Sequence, residues 1–246
     1  MTAIVGFAGA GYGLLAVDRN IVGRSPGGSE RILSSDGGKL HTGPDGFFAG
    51  AGKAELLEKV AERVAESTDP KQVARAMREE RKSRYRRKHE YPERSFGVLL
   101  KRSSGGAAVW VLRPEDGYRP ELVPRGRPLV TGPEAAEMRP LIGAFRLLFA
   151  PTPGDESLAR NIDLLHLYYW LRHRLNPVIS ADFDLSIVAP GIAEMSTRVN
   201  DFESDPAHAR QIAEYLSELG NAFGALAIMV KGLQHDEPVT KPKKRR

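Results

Sequence analysis

Apolar positions along the chain fall into short blocks whose spacing differs from one block to the next. Residues 2–7 (TAIVGF) form a β-branched run. After the glycine-rich turn AGAGYG comes LLAVD, ending at Asp18. Two such runs joined by a short glycine turn predict a β-hairpin. The GAGYG segment lacks the following helix and the lysine–threonine pair of a phosphate loop. A polar loop (NIVGRSPGGSE) leads to RILSSDGGKLHTGPDGFFAGAG, where glycine and aspartate clusters punctuate short strands around 39–41 and 46–49. From Lys53 the period changes to that of a helix, with Leu56, Leu57, Val60 and Val64 on one face. Asp69 and Pro70 read as an N-cap followed by proline in the first helical position, and Val73, Ala74 and Met77 open a second helix that Pro92 ends.

The second half repeats the order. SFGVLLKR and AAVWVLRP are apolar strands joined by a turn at 103–106. YRPELVPRG reads as an irregular strand and PLVTG as a short one. Glu134 opens an apolar helix through Leu148, which PTPG breaks. A helix over 156–173 is apolar on most sides, as a helix buried between layers would be. DFDLSIVAP is a further strand. After Pro190 the pattern predicts a polar connector, a helix over 207–219, an apolar stretch at 223–230 and a disordered tail from 235. Segregated runs of strands and helices predict an α+β fold with antiparallel sheets covered by helix pairs, rather than alternating βαβ units. A single domain spans 2–234, with 191–234 as a C-terminal extension.

Composition changes this picture little. The 246 residues are 41% hydrophobic and 27% charged, ample for one large core. With no cysteine, disulfides and thiolate metal sites are excluded, which fits a reducing, cytoplasmic setting. The six histidines show no metal-ligand spacing, and no cofactor motif stands out. Neither a secretory signal nor an apolar run long enough to span a membrane is visible. The net charge of +5 is concentrated at 78–94 and in the closing KPKKRR. Phosphate contact is one reading of these clusters; a solvated helix end and a soluble tail outweigh it, since no nucleic-acid motif surrounds either.

Candidate chemistry sits at the start of the chain. Thr2 follows the initiator methionine, and methionine is trimmed when the next residue is small. The mature chain then begins with a hydroxyl nucleophile and an α-amine on adjacent carbons, a nucleophile carrying its own general base. The reference pKa of such an amine, near 7.7–8.0, suits that task.

The opening TAIVGFAGAGYGLLAVDR resembles that of proteasome-type β subunits of the N-terminal nucleophile (Ntn) hydrolases, with Thr2, Val5, Gly6, Asp18 and Arg19 at matching positions. GGKLHTGPDGFFAGAG resembles the family segment that carries an active-site lysine and an oxyanion-hole glycine, here Lys39 and Gly50. SFGVLL, AAVWVL, LVTG and FDLSIVAP resemble the later family strands in order, so that the likeness covers 2–190. It implies a four-layer αββα sandwich. It also implies catalysis by Thr2, Asp18 and Lys39, with Gly50 donating its N–H to an oxyanion, Arg19 supporting Asp18, and Phe48 lining a substrate pocket. Peptides or unfolded proteins would be the substrates, no cofactor would be needed, and a homo-oligomeric ring would be fed by an ATP-dependent unfoldase. Two positions depart from the family. Its serine after the TG pair is replaced by Pro133 and Glu134, and its late aspartate and serine fall near Asn176 and Ile179, with Ser180 one residue away. A threonine peptidase, a transpeptidase that passes the acyl group to an amine, and a non-catalytic binding module on the same fold are therefore the three functional expectations.

Overall fold

A computed structural model describes residues 2–24, 30–35, 38–84, 95–132, 149, 154–200, 207 and 210. The chain divides into two compact units, Met1–Val199 and Asn200–Arg246. The elements below belong to the first. In the second, Ala207 and Arg210 are helical. The expected helix at 134–148, most of the basic cluster at 78–94, the apolar stretch at 223–230 and the basic tail lie outside the described residues.

The fold is α+β, with three described helices and antiparallel sheets. Strands β1 (Ile4–Ala8) and β2 (Gly13–Asp18) form the expected hairpin. They sit inside a five-stranded sheet of order β10-β1-β2-β11-β12, with β10 at Leu129–Thr131, β11 at Phe183–Ala189 and β12 at Ile192–Arg198. A second sheet runs β5-β6-β7-β8-β9, from β5 (Leu40–Gly43) and β6 (Gly46–Ala51) through β7 (Phe96–Ser103) and β8 (Gly106–Leu112) to β9 (Pro120–Leu122).

The period-2 pattern of the strands decides what each face meets. In β6, Phe47 and Ala49 join Ile4, Leu15, Val17, Val98 and Val109 in a core to which both sheets contribute. Phe48, between them, points the other way. It packs with Leu56, Val60 and Val64 of helix α1 (Ala54–Glu66) and Val73 and Met77 of helix α2 (Pro70–Arg84). The Asp69 carboxylate accepts from the N–H groups of Lys71 and Gln72, capping α2 as the Asp-Pro pair predicts. Helix α3 (Asp155–Leu175) packs on the first sheet, where Tyr169 stacks on Phe183 with ring centroids 4.6 Å apart and Asn161 donates to the Tyr12 hydroxyl.

Two expectations fail. The loop after Asp18 contains a separate hairpin of β3 (Ile21–Arg24) and β4 (Glu30–Ser34). Its apolar residues Ile32 and Leu33 are exposed, so no buried face imposes the alternation by which a strand is recognised. The connector after Pro190 is likewise β12, an edge strand with Ile192 and Met195 exposed. Sheet structure thus extends past 190, and the first unit ends at Val199.

Two glycines of β6 separate a rigid from a yielding contact. A Cβ on Gly46 would run into the Leu100 carbonyl oxygen, whereas one on Gly50 would meet the end of the Leu57 side chain, which is only partly buried. Gly46→Ala is expected to cost about 1–3 kcal/mol, as overpacking against fixed atoms does. Gly50→Ala should cost less, because Leu57 can rotate away. Chemical denaturation of the two variants measures the difference.

Candidate active site

The site is built where β1, β2 and β5 begin or end. β1 is an interior strand: Ile4 pairs with Val17 on one side and Thr131 on the other. Thr2, half-buried, leads into it. The next residue is tied down three times. The Ala3 N–H donates to Asp18 Oδ1 at 2.7 Å, and the Ala3 carbonyl accepts from the Asp18 N–H at 3.1 Å and from the Tyr169 hydroxyl at 3.2 Å.

Asp18 closes β2 and is fully buried. Its second oxygen, Oδ2, accepts from Lys39 Nζ at 3.0 Å. One carboxylate thus joins the backbone following Thr2 to the ammonium of Lys39. Burial is the leading influence on both groups. It raises the Asp18 pKa against the opposing pull of Lys39 and the Ala3 N–H, and it lowers the Lys39 pKa against the opposing pull of Asp18 and Asp184. A lysine so lowered lies closer to the range in which it exchanges a proton with a hydroxyl.

The β5–β6 ladder ends where Leu40 pairs with Ala49, so Lys39 and Gly50 are the residues that follow that last pair, one on each side of it. The Arg102 N–H donates to the Asp45 carbonyl at 2.8 Å, which fixes the phase of the β6–β7 ladder. Hydrogen-bonded positions alternate along such a ladder. By that alternation Gly50 turns its N–H away from β7 and toward the end of β5, the side on which Lys39 lies.

The other expected residues are placed differently. Arg19 pairs with Asp184 of β11 at 3.4 Å rather than with Asp18. Asp184 in turn accepts from the Thr197 hydroxyl at 2.9 Å. Phe48 is fully buried on the α1 and α2 side of its sheet, which makes it core packing in the folded chain. Asn176 and Ser180 serve local turns, accepting from the N–H groups of Val178 and Asp182. Ile179 is buried, and its carbonyl contacts His173 Nδ1 at 2.8 Å. Pro133 and Glu134 lie outside the described residues.

Two contributors are absent from the sequence reading. Asp184 lies in a segment read only as an apolar strand. Tyr169 occurs in a helix whose apolar character masked its hydroxyl. Among the described residues, no cluster of histidine and carboxylate side chains could hold a metal ion, and no helix is long and apolar enough to cross a membrane. No family model matches the chain, and no curated protein matches it.

Proposed function

We propose that this protein is an N-terminal threonine hydrolase of proteasome type, cleaving peptide bonds through an acyl-enzyme on Thr2 after removal of Met1. The observation that carries the proposal is the Asp18 carboxylate, which holds the Ala3 N–H and Lys39 Nζ at the same time. A hydroxyl at position 2 needs a nearby positive charge to stabilise its alkoxide and a base to take its proton. Lys39 supplies the first. The α-amine of Thr2 supplies the second, directly or through a water. Gly50, with its N–H on the β5 side of its strand, offers a donor to the oxyanion that forms when Thr2 Oγ adds to a carbonyl. The amine then returns its proton to the leaving nitrogen, and water releases the acyl group by the same route in reverse.

In this reading the shared core between the sheets, with α1 and α2 outside one sheet and α3 outside the other, corresponds to the αββα layers of an Ntn hydrolase. A peptide substrate, a homo-oligomeric ring and an unfoldase partner in the cytoplasm follow from the resemblance as parts of the same proposal.

Intact-mass measurement before and after treatment with a peptide epoxyketone tests it. The expected result is a chain lacking Met1 that gains one inhibitor mass on Thr2. The labelling rate should rise with pH through the α-amine range, near 7.7–8.0 for an unperturbed amine. A chain that retains Met1, or that loses it and remains unlabelled, overturns the proposal.

A further inference from the structure

Strand β12 has one edge that meets no other strand among the described residues. The direction of its backbone groups follows from the ladders beside it. The Asp18 N–H donates to the Ala3 carbonyl and the Gly9 N–H to the Tyr12 carbonyl, so β2 bonds β1 through Asp18, Ala16 and Leu14. Bonded positions alternate between the two edges of an antiparallel strand. Val17, Leu15 and Gly13 therefore turn to β11, opposite Asp184, Ser186 and Val188. By the same alternation Phe183, Leu185 and Ile187 bond Arg198, Ser196 and Glu194 of β12. Ala193, Met195 and Thr197 are left with their N–H and carbonyl groups directed outward.

This edge carries none of the usual devices that turn a further strand away. Natural edges are blunted by lysine, proline, bulges or shortness. β12 runs seven residues without lysine, proline or a register shift, and Ile192, Met195 and the following Val199 are 46%, 51% and 67% exposed. Glu194 is exposed and Arg198 partly so, and neither has an ion-pair partner among the described residues.

We infer that β12 pairs with β12 of a second copy of this chain, antiparallel about a two-fold axis through Ser196. A two-fold contact sets the edge against itself. Outward residues bond only outward residues, so the axis passes through a residue and not between two. With the axis at Ser196, Met195 bonds the partner's Thr197 and Ala193 meets the partner's Val199. Glu194 then faces the partner's Arg198 in a non-bonded pair, where Cα atoms approach to about 4.5 Å and side chains are closest. Symmetry repeats that charge match on the other side of the axis. The neighbouring axes lose it. At Met195, Glu194 faces the partner's Ser196; at Glu194, the carboxylate faces its own copy; at Thr197, Glu194 passes the arginine and faces the partner's Asn200. Opposite charges across an antiparallel pair stabilise it and like charges destabilise it, so the charge pattern selects one register. Such a contact closes at two copies, unlike the head-to-tail contacts that build a ring. It stands on the backbone of β12 and needs nothing of the Thr2 reading.

Sedimentation equilibrium of the full-length protein tests this. The wild-type particle is expected to hold an even number of chains. Glu194→Arg and Arg198→Glu, each of which sets like charges face to face, are expected to weaken association about tenfold or more. The double variant Glu194→Arg/Arg198→Glu restores the match with the charges exchanged, and is expected to associate as the wild type does. Met195→Pro acts through the backbone. The Met195 N–H is not bonded to β11, so a proline there keeps the β11–β12 ladder and blocks the partner. It is expected to halve the particle while the protein still melts cooperatively, and it decides alone if a charge variant does not fold. A monomeric wild-type protein overturns the proposal and leaves the edge to a strand of some other protein. So does a particle that Met195→Pro leaves whole, or a folded double variant that fails to restore what the single reversals lost. Pairing of β12 in a protein whose Thr2 stays unlabelled by the epoxyketone overturns the hydrolase reading alone.

Discussion

Thr2→Ala is expected to lower the rate of peptide hydrolysis by about a thousandfold or more, the scale on which removing an acyl-enzyme nucleophile acts. The loss should appear in kcat and leave peptide binding intact, because the residues that would position a substrate remain. The fold should survive. Ala3 keeps its bonds to Asp18 and Tyr169, and Ile4 keeps its pairing on both sides. The melting temperature should therefore move by no more than a few degrees. Thr2→Ser, which keeps a hydroxyl and the α-amine, should retain part of the activity. Undiminished hydrolysis by a folded Thr2→Ala protein would assign the activity to another residue or to a contaminant, and the proposed mechanism would fall with it.

Asp18→Ala carries the largest expected effect on stability, a loss of about 3–5 kcal/mol, as when one partner of a buried pair is removed. The carboxylate is fully buried, and the Lys39 side chain is largely so. Its removal strands a buried ammonium and leaves the Ala3 N–H without its acceptor at 2.7 Å. Asp18→Leu combined with Lys39→Met should recover much of the loss, since an apolar pair of similar volume has no charge to desolvate. That rescue would restore the fold and not the chemistry. Asp18→Asn is a gentler probe. Asp18 opposes the burial that lowers Lys39, so the substitution should lower the lysine further below its ordinary 10.5. Between that lowered value and 10.5 the unfolded chain binds more protons than the folded one, and the stability contribution of Lys39 rises with pH through that window. NMR titration of the Lys39 side-chain resonances, alongside melting curves across pH, checks both statements. A lysine that titrates at its ordinary value in the variant contradicts them.

The sequence made some of these elements plain and concealed others, for physical reasons. Strands β1, β2, β7, β8 and β11 are legible because each buries a large share of its residues in the cores, and burial writes hydrophobicity into the sequence. Helix α2 is legible from Asp69 and Pro70, whose capping chemistry is local. β3, β4 and β12 escaped notice because an exposed hairpin and an exposed edge leave alternation unconstrained. Within the site, Asp18 and Lys39 could be paired in advance only through a family resemblance, since the ion pair spans 21 positions and two sheets. The partner of Arg19 could not be found by adjacency. Asp184 reaches it because β11 lies beside β2, with Asp184 opposite Val17. Phe48 shows what strand parity does settle: it shares a face of β6 with Gly50, toward helices α1 and α2, where it packs in the core.

The interior position of β1 also sets a timetable for the birth of the molecule. Ile4 meets Thr131 across 127 positions of chain, so the first strand made acquires its second neighbour only after more than half of the protein has been synthesised. At about 5–20 residues per second that interval lasts roughly 6–25 s. During it β1 has only β2 beside it; afterwards Thr131 pairs with its other edge. A substitution that speeds pairing of β1 with β10 would therefore shorten the time for which one edge of the strand stands open, without altering a single contact in the finished fold.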